Sequence, residues 1–280
     1  KERAAKPEAY ANGEEHLERQ TIEQISKFLT QKAAEANSSE PVATLDVSHF
    51  NEIQSIMEKY PTCQMYCLFL LRLMTLNTEV NYNNITVIDA IMDMLLKGPQ
   101  AFNSVSSYAM GLCVISNLCS HHPGIVAVMK DSSSNRASQI LDVILQSISH
   151  EKVEVRQMSS ALALNYLLSC IHEKYKGEYW HWSGKDTVFS FNNGEGENIN
   201  SGSSAAGEPE ELDANATQLL CSLFESITAE TDLTCLSRKL SILVKIFRRF
   251  GACCANLCKD LGVQENVRIA AAALEREREK

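Results

Sequence analysis

The chain has 280 residues, 45% apolar and 22% charged, with a formal net charge of −9. That supports one large domain or two ordinary ones, and the negative total argues against a broad nucleic-acid interface, which needs a positive surface. No run approaches the roughly eighteen uninterrupted apolar residues of a membrane span.

Read in chain order, almost every long apolar pattern has a helical period. The start, KERAAKPEAYANGEEHLERQ, is charged and reads as a cut point or linker, not as a secretory signal. Leu17, Thr21, Ile25 and Phe28 mark a first helix over about 14–36, and a polar break follows at 37–41. Leu45, Ile53 and Ile56 predict a helix ending before Pro61. Residues 63–76 are apolar nearly all round and are expected to be buried. The pattern over 80–96 stops at Gly98-Pro99, a glycine then a proline at a helix C-terminus.

Val105, Tyr108, Leu112, Ile115 and Cys119 share the face of the next helix, which His121, His122, Pro123 and Gly124 punctuate. The His121–His122 pair is expected to cap that helix end, where a cation favours the dipole. A short helix over 124–129, a loop DSSSNR, an amphipathic helix over 137–148 and a long one over 153–171 follow. Residues 176–213, with Trp180 and Trp182 and then FSFNNGEGENINSGSSAAGEPEE, are too polar to repay their ordering entropy and read as an inserted loop. A strand pair involving 187–191 is the one non-helical possibility there. Helices are then predicted over 214–227, through Leu233, Leu236, Leu240, Leu243 and Phe247, and over 252–261. Residues 265–280 become purely charged after Leu274 and are expected to project as a solvated helix end. The organisation is therefore a helix and linker over 1–43, a helical domain over 44–262 carrying the insert, and a charged end over 263–280.

Four apolar runs carry an odd polar residue: Arg72 in LFLLRLMTL, Asn117 in LCVISNL, Asn165 in ALALNYLL and Arg238 in LSRKLSIL. The first three are 45 and 48 residues apart, and the last step of 73 contains the insert. A recurrence near 40–47 residues is that of armadillo and HEAT arrays. The expected fold is all-α, an armadillo/HEAT-like helical solenoid.

A half-buried asparagine must satisfy its amide. It does so on neighbouring backbone, a structural role, or on the main chain of a peptide in a groove. Burying an unpaired guanidinium is costly, so Arg72 and Arg238 pair internally or face a groove. Arg238, Lys245 and Arg249 are spaced i, i+7, i+11 and share a narrow stripe. The candidate peptide-binding set is Arg72, Asn117, Asn165, Arg238, Lys245 and Arg249. Its expected ligand is an acidic peptide or terminal carboxylate, which a planar guanidinium meets bidentately.

Of the ten cysteines, Cys67, Cys113, Cys119, Cys170, Cys221 and Cys235 lie in apolar helical runs and no C-x-x-C occurs. Reduced thiols and a cytoplasmic or nuclear home are expected. Cys253, Cys254 and Cys258 lack an accepted zinc-ligand spacing. No phosphate-binding glycine loop is present. A non-enzymatic chain without metal or cofactor is expected.

The segments LFLLRLMTLN, VISNLCSHHPG, EVRQMSSALALNYLLS and AETDLTCLSRKLSILVKIF, in this order, resemble the PUL domain of the ubiquitin-linked phospholipase-A-activating-protein family. The likeness spans about 44–262. It implies an armadillo-like fold whose concave basic groove captures the C-terminal tail of the AAA+ ATPase valosin-containing protein. Arg72 and Arg238 match the family's arginine positions, and Asn117 and Asn165 its recurrent asparagines. The insert at 176–213 departs from the family pattern. A generic helical scaffold that binds through the insert or the convex face is the alternative.

Overall fold

Helices in this chain begin where a side chain can take the N–H groups that the first turn leaves free. Asp46 accepts from Ser48 N–H at 2.9 Å and from His49 N–H, and His49 Nδ1 accepts from Asp46 N–H in return. Ser104 accepts from Ser107 N–H at 3.0 Å, and Asp232 from Cys235 N–H at 2.8 Å. Helix ends are equally local: Gly98, with φ of +85°, closes one helix in a conformation that a side chain would strain, and Pro99 opens a 3-10 turn behind it.

The structure is a computed structural model describing residues 13–34, 45–77, 85–129, 136–171, 214–250 and 252–278, with Val80, Tyr82 and the pairs 180–181 and 190–191. The described α-helices are α1 (Gly13–Ala34), α2 (Val47–Lys59), α3 (Gln64–Met74), α4 (Thr86–Lys97), α5 (Val105–Leu118) and α6 (His122–Met129). They continue as α7 (Arg136–Ser147), α8 (Val153–Ile171), α9 (Ala214–Thr228), α10 (Leu233–Phe250), α11 (Ala252–Asp260) and α12 (Gln264–Arg278). The only described strands are Trp180–His181 and Ser190–Phe191, which pair antiparallel. The rest of the insert, including the 187–189 part of the expected strand and Trp182, lies outside the described residues, as do residues 1–12.

Two rows of helices form the body. In one row α3 packs on α5, α5 on α8 and α8 on α10; in the other, α2, α4, α7 and α9 follow one another behind them. The core between the rows is continuous, running from Ile25 and Phe50 through Leu68, Ile91, Leu112 and Ile144 to Leu223 and Ile242. Cross-helix bonds join like ends, Asn117 to Arg72 and Asn165 to Ser116 near the C-termini and Arg238 to Gln157 near the N-termini, so the first row is parallel.

Several expectations change. The α3 segment is not buried all round: Tyr66, Phe69 and Leu76 are 73%, 43% and 56% exposed, because only the face through Leu68, Leu71 and Met74 meets the core. The α4 pattern begins at Thr86, six residues later than its periodicity suggests. Val80 and Tyr82 are buried in the preceding connection, and the Tyr82 hydroxyl donates to Asn77 O. The last helix does not simply project. Ala270 is buried, and Val267 and Leu274 pack on the core where α12 meets α9 and α10, while Glu265, Arg268, Glu275 and Arg276 on its other faces are exposed. Arg136 is the first residue of α7, not a loop residue; it is 6% exposed and pairs with Asp89 of α4 at 2.6 Å.

Candidate peptide groove

An α-helix leaves its last four carbonyls without an intrahelical partner. In α3, the Leu71, Leu73 and Met74 carbonyls are taken up by N–H groups of the closing turn. The Arg72 carbonyl is passed over by that turn. It accepts instead from Thr75 Oγ1 at 3.0 Å and from Asn117 Nδ2, on α5, at 2.9 Å. In α5 the turn takes the Ile115, Asn117 and Leu118 carbonyls, and the Ser116 carbonyl is passed over. Asn165 Nδ2, on α8, bonds it at 3.0 Å and reaches Ser116 Oγ at 3.1 Å. Each asparagine thus closes the orphan carbonyl of the preceding helix in the row. The recurrence near 45 residues has a structural cause: it is the distance from one helix end to the side chain that satisfies it.

That answers half of each amide. Nδ2 is committed to backbone, the structural alternative, while among the described residues no donor reaches Oδ1 of Asn117 or Asn165. Both residues are half-buried, so the acceptor oxygen remains at the surface of the row.

Arg238 makes the third helix-to-helix bond within the row, Nη1 to the Gln157 carbonyl of α8 at 2.7 Å. Gln157 is held in turn by its own Nε2, which donates to Asp232 at 3.0 Å. Asp232 therefore caps α10 and fixes the residue that Arg238 bonds. Arg72 lies with its guanidinium 6.0 Å from the Phe69 ring centre. Among the described residues neither Arg72 nor Arg238 forms an ion pair. Both act electrostatically on the Cys113 thiol of α5, Arg72 also as a hydrogen-bond partner. Burial pushes that thiol's pKa up, and Arg72 and Arg238 both pull against the rise. Lys245 is half-buried on α10; the side chain of Arg249 lies outside the described residues.

Beside Cys113 the row opens into a pocket of about 290 Å³. Met65 and Arg72 of α3, Met110 and Cys113 of α5, and Glu154 and Met158 of α8 form its walls. The acid and the methionines are absent from the sequence-derived set, because methionine at helical spacing reads as core.

Sequence reasoning also missed a buried charged cluster between α8 and α10. Glu230 and Lys239 side chains are 0% exposed and Arg156 16%. Arg156 holds both Glu230 oxygens at 3.0 Å, and Lys239 Nζ bonds Oε2 at 2.8 Å. Burial raises the Glu230 pKa, but the hydrogen bonds from Arg156 and Lys239 outweigh it and hold the carboxyl below its usual range. Nothing local distinguishes Arg156 or Lys239 from surface charges.

The histidine pair differs from expectation. His121 stands at the N-terminus of α6, where its Nδ1 accepts from Gly124 N–H at 3.1 Å and its Nε2 donates to Thr75 O at 3.0 Å. Those two bonds need the neutral ring, and burial lowers its pKa. A cation here would face the positive end of α6.

The described thiols with a resolved shift, Cys67, Cys113, Cys119, Cys235 and Cys258, are all pushed up by burial, Cys67 to about 11 and Cys235 to about 12. Burial therefore favours the neutral thiol at each of them. Among the described residues no group of three or more His, Cys, Asp or Glu could hold a metal ion, and no single helix is long and apolar enough to cross a membrane. Cys253 and Cys254 lie outside the residues whose side chains are described. The chain matches no family model, no curated protein and no solved structure.

Proposed function

We propose that the two rows are an armadillo/HEAT-like solenoid of PUL type, and that the exposed side of the row α3–α5–α8–α10 is a groove for an acidic C-terminal peptide. The partner that the resemblance implies is the tail of valosin-containing AAA+ ATPase, and the role is that of a non-enzymatic adaptor in ubiquitin-linked protein handling. The observation that carries this reading is that Arg72 borders the pocket between α3, α5 and α8 while Arg238 bonds the Gln157 carbonyl of α8, with neither in an ion pair among the described residues. A cation that is half-buried and unpaired gains most from an incoming carboxylate. The free Oδ1 atoms of Asn117 and Asn165 add acceptors for the peptide's N–H groups along the same row.

The test is fluorescence polarisation with an acidic tail peptide, carrying either a free or an amidated C-terminus. Arg72→Ala with Arg238→Ala is expected to weaken binding at least tenfold while the helical circular dichroism stays unchanged. Because Arg238 also bonds Gln157, urea unfolding of the same variant separates lost binding from lost fold. Full-strength binding by a folded double variant would end this reading.

A further inference from the structure

The row α3–α5–α8 carries a second recurrence beside its polar one. Seven residues before Arg72, Asn117 and Asn165 stand Met65, Met110 and Met158. Seven residues are close to two helical turns, so each methionine shares the face of its polar partner, about 10 Å nearer the helix N-terminus. The three helices are parallel, so the thioethers form a ladder of their own, and all three line the pocket that Arg72 borders. Exposure sets them apart from most of the other methionines. Of the eight in the chain, Met57, Met74, Met92 and Met129 are buried in the core. Met94, on α4 in the other row, is half-buried, and the remaining three accessible thioethers are the ladder.

We propose that Met65, Met110 and Met158 form one oxidation site, at which a peroxide converts thioethers to sulfoxides and thereby weakens the groove for acidic peptides. The effect on binding rests on the peptide-groove reading; the modification itself does not. The Sδ lone pair attacks one peroxide oxygen, an S–O bond forms as the O–O bond breaks, and the other oxygen leaves as water with the peroxide's two hydrogens. Sulfur loses two electrons and the peroxide gains them. Each step puts a polar acceptor where an apolar wall stood. The cation on this pocket is Arg72, and a guanidinium that bonds a sulfoxide oxygen meets an incoming carboxylate less well. Cys113 lines the same pocket but is 9% exposed, and peroxide attacks the thiolate, the form that burial disfavours. Methionine sulfoxide reductases reverse the change, one enzyme for each sulfoxide epimer, so the site is a reversible one.

The experiment treats the whole chain with hydrogen peroxide for increasing times and follows each methionine by peptide-mapping mass spectrometry. Met65, Met110 and Met158 are expected to gain oxygen several-fold faster than Met57, Met74, Met92 and Met129, with helical circular dichroism unchanged. Equal rates at all seven would overturn the site. The oxidised chain should bind the acidic tail peptide several-fold more weakly in fluorescence polarisation, and treatment with both sulfoxide reductases should restore it. Leucine conserves the volume of methionine and cannot be oxidised. The triple variant Met65→Leu, Met110→Leu and Met158→Leu should therefore bind within about twofold of the unaltered chain and keep that affinity after peroxide. Selective oxidation without loss of binding would overturn the effect on the groove, and so would an equal loss in the triple variant, which would place the damage at Met94 or a thiol. If the untreated chain binds no acidic peptide, the groove reading has failed, and the mapping alone decides the site: selective oxidation supports it and uniform oxidation overturns it.

Discussion

Single residues here act mostly by completing someone else's hydrogen bonding. Asn117 and Asn165 each close a carbonyl that the preceding helix cannot close, so truncation leaves a half-buried acceptor unsatisfied. Asn165→Ala is expected to cost about 1–3 kcal/mol in urea unfolding. Asn165→Asp should cost at least as much, because a carboxylate presents an oxygen to the Ser116 carbonyl. The Glu230 cluster follows a harsher rule. Glu230→Gln leaves Lys239 fully buried beside a neutral amide, and loss of one partner from a buried pair costs about 3–5 kcal/mol. A variant that unfolds at the same urea concentration as the unaltered protein would show that Lys239 finds water or another acceptor. The linkage has a definite sign. The folded pKa of Glu230 is depressed, so its contribution is complete above the unfolded value near 4.5 and is lost as the pH falls through the folded one. His121 adds a second step of the same sign at higher pH. Its pKa is also lowered from 6.5, so folding is opposed progressively as the pH drops below that value. His121→Asn retains an acceptor for Gly124 N–H but cannot titrate. Its urea midpoint should change less between pH 7 and 5.5 than that of the unaltered protein.

At the scale of elements, most helices were readable from apolar period and punctuation, and the misreadings share a cause. Gly98-Pro99 ended α4 as its chemistry requires, and α8 and α10 began at Val153 and Leu233, where their periodicity starts. The polar recurrence that singled out Arg72, Asn117, Asn165 and Arg238 was legible because helix packing imposes a period on the chain. Which carbonyl each would meet was not, since that depends on the turn that closes another helix some 45 residues away. Arg136, Arg156 and Lys239 were misread or passed over for the same reason: a long charged side chain on a helix is normally solvated, and only a distant carboxylate makes it core. The helix α3 was read as buried from composition alone, although Tyr66 and Phe69 on its outer face are exposed. Gly124 illustrates an element boundary set by space. A Cβ there would overlap the Leu118 carbonyl and the His121 ring, both of which fix the turn between α5 and α6. The backbone atom cannot swing aside as a side-chain tip could. Gly124→Ala is therefore expected to destabilise by about 1–3 kcal/mol, within the range of overpacked sites, in thermal or urea unfolding. An unchanged midpoint would mean that α6 shifts freely on α5.

For the whole molecule, a net charge of −9 looks inconsistent with the proposed basic groove until the charge is located. Residues 172–213 hold nine carboxylates against three lysines, so this segment carries six of the nine net negative charges. The helical rows are close to neutral without it. The segment is tethered at both ends to described helices, leaving α8 after Ile171 and entering α9 at Ala214. A compact chain of this length has a radius of gyration of about 19 Å, whereas the Debye length is about 30 Å at 0.01 M salt and about 8 Å at 0.15 M. At low salt the insert's charge therefore repels an approaching acidic peptide wherever it lies; at physiological salt only close contacts count. Replacing Glu195, Glu197, Glu208 and Glu210 by glutamine should accelerate association with an acidic peptide several-fold at 0.01 M salt, with little change at 0.15 M. Stopped-flow association rates at the two salt concentrations measure this directly. An effect that persists undiminished at 0.15 M would place the insert in direct competition with the peptide for Arg72 and Arg238. No effect at either concentration would mean that its charge is screened from the groove by the helices between them.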